Sequence, residues 1–259
     1  MNLKYYIQLA KKIRLEILEI IYKSKSSHLG SCFSIVDILC VLYNERINKS
    51  DDIFILSKGH ATLALYVVLA EFRYFKKSLL NTYGHNNSKL MSHANHNVNG
   101  VELSTGSLGH GLSYSVGKCL AFKIKKNKKK VFVILSDGEL NEGSNWEALM
   151  FASHHKLNNL VAIIDYNKIQ SLDFVHNIVK LEPLVSKFIS FGLNVKIING
   201  HNYREIEKVI KSLHQKKPTV IIANTIKGKG VKEIENKVLW HYKSPDKNQF
   251  VRFKKELSR

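Results

Sequence analysis

Two polar residues follow two apolar segments of the chain and have side chains suited to holding a metal ion. Asp137 and Gly138 come just after the apolar segment 131–135, and Asn167 comes just after 160–164. Carboxylate and amide oxygens suit Mg²⁺, which prefers to share its shell with phosphate oxygens and water. The Gly138 amide, at a turn into a helix, can contact phosphate directly. The pattern predicts a cation and diphosphate site, although an Asp-Gly pair after a strand also occurs in ordinary tight turns.

Strand and helix patterns alternate along the chain on both sides of Asp137 and Asn167. Apolar runs predict strands at 52–57, 131–135, 160–166, 195–198 and 219–224. Apolar residues at helical spacing predict helices at 3–22, 35–47, 61–72, 111–126, 144–156 and 203–216. Such alternation predicts an α/β fold with helices on both faces of a parallel sheet. Ligands then bind beyond the carboxyl ends of the strands, where Asp137 and Asn167 are expected.

Residues 1–259 contain no internal repeat and no linker rich in Gly, Pro or Ser, so we expect a single domain. In the first helix the expected inward face is Leu3, Tyr6, Ile7, Ala10, Ile13, Ile17, Ile20 and Ile21. A loop is expected at 24–31. The segment 84–111 has little periodicity, and its histidines favour function, since long irregular segments are usually functional or disordered.

The formal net charge of +19 raises the question of a nucleic-acid partner. The densest lysine run, residues 123–130, falls where a helix is predicted to end, and the helix dipole favours cations there. Nothing aromatic is interleaved in that run to stack on bases. We therefore favour a solvated helix end over a nucleic-acid patch. The positive field would also suit a small polyanionic substrate.

The three cysteines, Cys32, Cys40 and Cys119, are too few and too scattered for a disulfide framework or a zinc site. No apolar run is long enough to span a bilayer, so no membrane contact is expected. Residues 1–24 mix charged and apolar residues at helical spacing, unlike a signal peptide. A reducing cytoplasm is the expected location.

Several stretches of the sequence, in the same order along the chain, resemble blocks of transketolase. They are residues 27–31, residues 52–61, His93, residues 100–102, residues 104–111, residues 136–148, residues 227–230 and Trp240-His241. Asp137 and Asn167 resemble the family's thiamine diphosphate motif. The resemblance covers essentially the whole chain. It implies a thiamine diphosphate-binding pyrophosphate domain, with Mg²⁺ or another divalent cation such as Ca²⁺ as the second cofactor.

The resemblance also implies a role for each matching residue. The metal ligands would be Asp137, Asn167 and the carbonyl of Ile169. Contacts to the cofactor would come from His60, Gly106, Leu108, Gly138, Asn167 and His241. The catalytic residues facing the ketose would be His28, His60, His93 and His241, since imidazole both accepts and donates protons near neutral pH. Glu142 and Glu147 would lie at a contact between subunits.

Other residues are expected to be structural. Surface or capping positions are expected for His85, His96, His154, His155, His176 and His214. His201 follows Gly200 at a strand end and stays open between a structural and a functional role. Trp146 is expected to pack in the interior, and Glu139 to be an exposed turn residue.

Four positions depart from the family's usual residues. Ser136 stands in place of Gly, Leu29 and Asn99 in place of Pro, and His110 in place of Gln. His110 is expected near the thiamine. These departures leave the cofactor expectation intact and leave the sugar undetermined.

Thiamine catalysis in this family needs a glutamate from a second, pyrimidine-binding domain. Full-length transketolases carry that domain after a linker, whereas this sequence ends soon after Trp240-His241. The resemblance therefore implies the N-terminal subunit of a split transketolase, with a separate C-terminal chain as its partner in a heterotetramer. The expected reaction transfers a two-carbon ketol unit from a ketose to an aldose, both sugar phosphates.

Two alternatives remain open. The same half-site serves 1-deoxyxylulose-5-phosphate synthase and 2-oxo acid dehydrogenase subunits, although residues 146–148 and Trp240-His241 favour transketolase over the latter. The other alternative is a non-catalytic scaffold subunit, or a basic nucleic-acid binder built on an enzyme fold. Four intact residues argue against a loss of cofactor binding: Asp137, Asn167, His60 and His241.

Overall fold

A computed structural model describes residues 2–258, so the ends of the expected domain, residues 1 and 259, lie outside the described part. Its strands are β1 (Ile53–Leu56), β2 (Val131–Ser136), β3 (Leu160–Tyr166), β4 (Asn194–Asn199) and β5 (Thr219–Asn224). They form one parallel sheet in the order β1-β2-β3-β5-β4. The register pairs Ser136 with Asp165, which brings the carboxyl ends of β2 and β3 side by side.

Helices precede, connect and follow the strands. They are α1 (Leu3–Ser24), α2 (Leu29–Leu42), α3 (Thr62–Glu71), α4 (His110–Ile124), α5 (Gly143–His154), α6 (Val175–Ile178), α7 (Leu184–Ser190), α8 (Tyr203–Lys211) and α9 (Lys247–Ser258). Short helical turns lie at Tyr43–Ile47, Gly59–Ala61, Lys77–Thr82, Gly138–Asn141 and Val238–His241. The predicted α/β fold is therefore confirmed.

Apolar side chains cover both faces of the sheet. Alternate residues of a strand point to opposite faces, so Phe132 and Ile134 join a core with α1, α2 and α3. Val133 and Leu135 join a second core with α4 and α5. Every residue of β2 is buried, as expected for a parallel strand covered on both sides.

The prediction for the first helices was partly wrong. Leu3 and Ile7 were expected to face inward but are 40% and 50% exposed, whereas Arg14 is buried. The helix α2 begins at Leu29, so the predicted loop at 24–31 ends early. All residues of α2 are buried, including its polar ones, which removes the amphipathic periodicity that would have marked its start.

The helices α6, α7 and α9 were not predicted from the sequence. Across residues 2–258, no helix has the length and apolar character needed to cross a membrane. The three cysteines are free and buried.

Candidate active site

A cavity opens at the carboxyl ends of β2 and β3, and the expected catalytic, cofactor and metal residues all line it. The cavity walls contain His28, Ser31, Lys58, His60, His93, Gly106, Leu108, Ser136, Asp137, Gly138, Asn167, Ile169, Gln170, Ser171, Lys227, His241 and Tyr242. The segments that carry them come from distant parts of the chain. The sheet topology therefore assembles at one edge the residues that the sequence motifs separate.

Asp137 and Asn167 lie at neighbouring strand ends, and backbone amides fix both side chains. The carboxylate of Asp137 accepts hydrogen bonds from the amides of Gly138 (2.8 Å) and Lys168 (2.5 Å). The Oδ1 atom of Asn167 accepts from the Ile169 amide at 3.1 Å. Burial, together with the nearby Asp165 charge, raises the pKa of Asp137 to about 7. A bound cation would favour its charged form.

A buried ion pair between Lys58 and Asp165 lies next to Asn167 at the carboxyl end of β3. Burial alone would raise the pKa of Asp165, but the Lys58 ammonium holds it below its usual value. The same carboxylate also accepts hydrogen bonds from the hydroxyls of Ser34 and Thr225 and from the amide of Asn167. Asp165 therefore fixes which way the Asn167 amide points, because its oxygen is left facing the Ile169 amide.

Lys227 reaches the cavity from the loop that follows β5, and the sequence did not assign it a role. Its Nζ donates to the carbonyls of Ile169 and Gln170 at 3.1 Å each and contacts His241 Nδ1 at 2.8 Å. Burial, reinforced by the charge of Lys58, lowers its pKa to about 7. The sequence signal was the 227–230 stretch, which carried the resemblance but gave no sign of a buried ammonium.

Four histidine rings cluster at the mouth of the cavity. The ring centre of His28 lies 5.5 Å from that of His60, 5.8 Å from that of His93 and 5.1 Å from that of His241. Burial first, and then neighbouring positive groups, lower the pKa of His28 to about 4 and that of His241 to about 3. The pKa of His60 is also well below its ordinary value. These three imidazoles are therefore neutral near pH 7, and each has a ring nitrogen that can accept a hydrogen bond.

At the remaining walls, other side chains approach two glycines closely, and one wall residue has a buried, unpaired amide nitrogen. A Cβ atom at Gly138 would lie 2.7 Å from Cγ of Gln170, and one at Gly106 would lie 3.2 Å from the His93 ring. The Gln170 Nε2 atom is buried and has no hydrogen-bond partner among residues 2–258.

The structure also places three residues whose positions were expected from the sequence: Glu139, Trp146 and His110. Glu139 was expected to be exposed, which is wrong: it is 0% exposed and accepts a hydrogen bond from Ser57. Trp146 packs against Phe188, as expected for a packing residue. His110 is exposed and is not part of the cavity wall, although Leu108, two residues earlier, is; its place near the thiamine stays a prediction.

The histidines that carry no motif lie away from the cavity. Those expected at structural positions are absent from the wall described above: His85, His96, His154, His155, His176 and His214. His201 binds Asp37 through Nδ1 at 2.7 Å and accepts from the Ile226 amide at 2.8 Å. Its contacts are structural. Glu142 and Glu147 lie around the start of α5, outside the cavity.

Comparison with known proteins identifies relatives along the whole chain. Residues 6–257 match the family described as transketolase, thiamine diphosphate binding domain. An apulose-4-phosphate transketolase subunit of Actinobacillus succinogenes is 42% identical over 247 residues, covering 91% of this chain and 90% of the relative. The 6-deoxy-6-sulfo-D-fructose transketolase subunit SqwG of Clostridium sp. (strain MSTE9) is 40% identical over 244 residues, covering 90% and 88%.

A solved structure shares the fold. The transketolase of Campylobacter jejuni superposes with a TM-score of 0.93 at 29% sequence identity, and the match covers 100% of this chain. This chain spans 43% of the length of that transketolase.

Proposed function

The chain belongs to the transketolase family as a thiamine diphosphate-binding domain, and from this we propose that it is the N-terminal subunit of a split transketolase. The reaction is the transfer of a two-carbon ketol unit from a ketose to an aldose, both sugar phosphates. The observation that carries this proposal is one cavity that combines Asp137 and Asn167 with four histidines. Relatives named as transketolase subunits, of nearly the same length, support it.

The cavity suits a diphosphate in charge and in hydrogen bonding. Lys58 and Lys227 both place buried amino groups in the cavity wall. Lys58 is paired with Asp165, whereas Lys227 contacts two carbonyls and His241, so a bound diphosphate would favour the charged form of Lys227. We assign His60, Gly138, Asn167 and His241 to the diphosphate. Gly106 and Leu108 would lie along the thiamine. When bound, thiamine diphosphate supplies the carbon nucleophile for ketol transfer, and the protein supplies its binding and orientation.

Mg²⁺ is a further part of the proposal, with Asp137, Asn167 and the Ile169 carbonyl as its protein ligands. Within residues 2–258, no group of three His, Cys, Asp or Glu side chains is placed to hold a metal. The proposed site therefore depends on diphosphate oxygens and water to complete the octahedral shell. Ca²⁺ is the other cation that this oxygen-rich set would accept.

The neutral histidines give the site hydrogen-bond acceptors for the hydroxyl groups of a sugar. His28 and His93 face each other across the cavity mouth, so we assign them to the hydroxyl groups of the sugar. His241 is buried, and the His60 ring centre lies 5.4 Å from that of His241. The His241 ring is oriented by its contact with Lys227, and the positive charge of that ammonium disfavours protonation of the ring. We assign proton transfer at the substrate to all four histidines, His28, His60, His93 and His241.

A separate partner chain completes the proposed enzyme. The subunit naming of the relatives supports a second chain, which we propose carries the pyrimidine-binding domain and its activating glutamate. Two copies of each chain would form a heterotetramer, with Glu142 and Glu147 at the contact between copies. A single domain and a cytoplasmic location belong to the same proposal, and the free cysteines fit a reducing compartment.

The test is a calorimetric titration of the reconstituted complex with thiamine diphosphate and Mg²⁺. We expect binding by the unaltered complex and its loss in Asp137→Ala, because this substitution removes the one carboxylate among the proposed ligands. Asp51→Ala is the matched control, since Asp51 is 84% exposed at the other end of the sheet. Retained Mg²⁺-dependent binding of thiamine diphosphate in Asp137→Ala would refute the metal assignment. No binding by the unaltered complex would refute the proposed enzymatic function.

A further inference from the structure

Glu139 has a buried carboxylate and directly follows Asp137 and Gly138, which line the cavity, although Glu139 itself does not line it. It is 0% exposed and lies in the short helical turn Gly138–Asn141. Its Oε1 atom accepts hydrogen bonds from the Ser57 hydroxyl (2.5 Å) and the Gly109 amide (3.0 Å). Its Oε2 atom accepts from the Ser136 amide at 3.3 Å. One side chain therefore holds three segments that are far apart in sequence.

Each of these donors adjoins residues that line the cavity. Ser57 precedes Lys58 and His60 at the end of β1. Ser136 precedes Asp137 and Gly138 at the end of β2. The third donor, Gly109, follows Gly106 and Leu108, the proposed thiamine contacts. The carboxylate thus joins the proposed diphosphate-binding turn to the proposed thiamine-binding segment.

The chemistry of the side chain suits this task better than a neutral one would. An ionised carboxylate only accepts hydrogen bonds, and its two oxygens can serve several donors at once. Bonds to a charged acceptor are stronger than neutral ones, and a buried carboxylate is tolerated when it is well satisfied. The Glu139 backbone is fixed as well, because its amide donates to the Ser136 hydroxyl (3.2 Å) and its carbonyl accepts from Asn145 (2.6 Å).

The Gly109 end of this network has little freedom to move. Gly109 has a φ of +85°, and a Cβ atom there would lie 2.6 Å from the Ser144 hydroxyl and 2.8 Å from Glu142. The Ser144 hydroxyl donates to the Gly109 carbonyl at 2.9 Å. With its amide held by Glu139, both polar groups of Gly109 are bound. The 106–109 segment is therefore held at a set distance from the Asp137-Gly138 turn.

We propose that Glu139 is a positioning residue that sets the spacing between the 106–109 segment and the 136–138 turn, and with it the affinity for thiamine diphosphate. The proposal rests on the function proposed above. It requires no contact between Glu139 and the cofactor. It makes Glu139 a determinant of cofactor affinity, separate from the residues that face the sugar.

The test compares Glu139→Gln with the unaltered chain, each in the presence of Mg²⁺ and in complex with the partner chain. Glutamine has nearly the same shape, but its NH₂ group must face either the Gly109 or the Ser136 amide, where it cannot accept a bond. We expect the Kd for thiamine diphosphate, measured by calorimetry, to rise at least tenfold. At saturating cofactor, kcat and the KM for the ketose should return to within about twofold of the unaltered complex. A role limited to stability would not produce this split.

Ser57→Ala is the second variant, because it removes one donor and leaves the carboxylate and both backbone bonds in place. We expect its Kd to rise about threefold, less than that of Glu139→Gln. An unchanged Kd in Glu139→Gln would overturn the proposal, as would a kcat that saturating cofactor does not restore. If Glu139→Gln fails to fold, an unchanged Kd in Ser57→Ala overturns it instead. Absence of binding by the unaltered complex is a different result, since it refutes the proposed function itself.

Discussion

The charge of His28 is set by burial and by the positive groups around its ring. His60, His93, His241 and Tyr242 pack around its ring, and the ammonium groups of Lys58 and Lys227 lower its pKa further. Burial is the largest cause of the shift to about 4. The folded protein therefore binds a proton at this ring only at a pH well below the ordinary value of about 6.5.

This shift predicts how stability depends on pH. Below about pH 6.5 the unfolded chain protonates His28 while the folded chain does not, so the free energy of unfolding decreases from about pH 6.5 towards pH 4. The slope has a limit of about 1.4 kcal/mol per pH unit, and solvent screening at this partly exposed ring reduces the loss to about 1 kcal/mol by pH 5. Between pH 7 and pH 5 we expect the free energy of unfolding to decrease by about 1 kcal/mol less in His28→Asn than in the unaltered chain. Urea unfolding at pH 5–7 measures this difference.

Asparagine is the suitable replacement because His28 has a φ of +73°, which asparagine tolerates better than most residues. The control is His176→Asn, at an exposed position in α6, whose curve should run parallel to that of the unaltered chain. If the free energy of unfolding of His28→Asn depends on pH in the same way as that of the unaltered chain, residues other than His28 cause the pH dependence.

At the residue scale, the sequence motifs identified the groups that face the cavity but not those that hold them. Asp137, Asn167 and the histidines follow strand ends or motif blocks that are visible in the sequence. The network beneath them depends on contacts between distant segments, such as Ser57 with Glu139, 82 residues apart. An acidic residue in a turn is ordinarily exposed, so only the tertiary structure reveals that Glu139 is buried.

At the scale of elements, a buried polar cluster joins the first two helices to the β4 end of the sheet. Arg14 of α1 binds both oxygens of Asp37 in α2, at 3.0 and 2.6 Å. His201 and Tyr203, at the start of α8, donate to the same carboxylate at 2.7 Å each. The pattern of apolar residues predicted α1 but could not predict this pairing, because Arg14 lies on a face expected to be apolar.

Removing Arg14 should destabilise the fold strongly. In Arg14→Met the Asp37 carboxylate stays buried without its cation, and breaking such a pair typically costs about 3–5 kcal/mol. Lys12→Met provides the matched control on the same helix, since Lys12 is 54% exposed in its pair with Glu71. A pair of that kind contributes less than about 1 kcal/mol. Urea unfolding followed by circular dichroism measures both, and similar losses in the two variants would contradict the role of the cluster.

At the scale of the whole molecule, α4 and α5 present a face that the chain itself leaves uncovered. Tyr114, Met150 and Phe151 are 36%, 49% and 43% exposed on these helices. Gly117 lies on α4 as well, and a Cβ atom there would meet nothing within 4 Å. Glu147, proposed at the contact between copies, is on α5. The proposed heterotetramer would cover this face, whereas a chain acting alone would leave it in water.

A substitution at Gly117 distinguishes these two cases. Gly117→Trp should leave the isolated chain folded, because the added side chain enters open space, but it should block close approach of a second copy. We expect light scattering to show that the mass of the reconstituted complex decreases to one copy of each subunit. Gly117→Ala is the control: it should preserve the assembly and stabilise α4 by up to about 1 kcal/mol. If the Gly117→Trp complex keeps the mass of the heterotetramer, the two copies of this chain contact each other through another surface. The proposal that Glu142 and Glu147 lie at that contact would then be wrong.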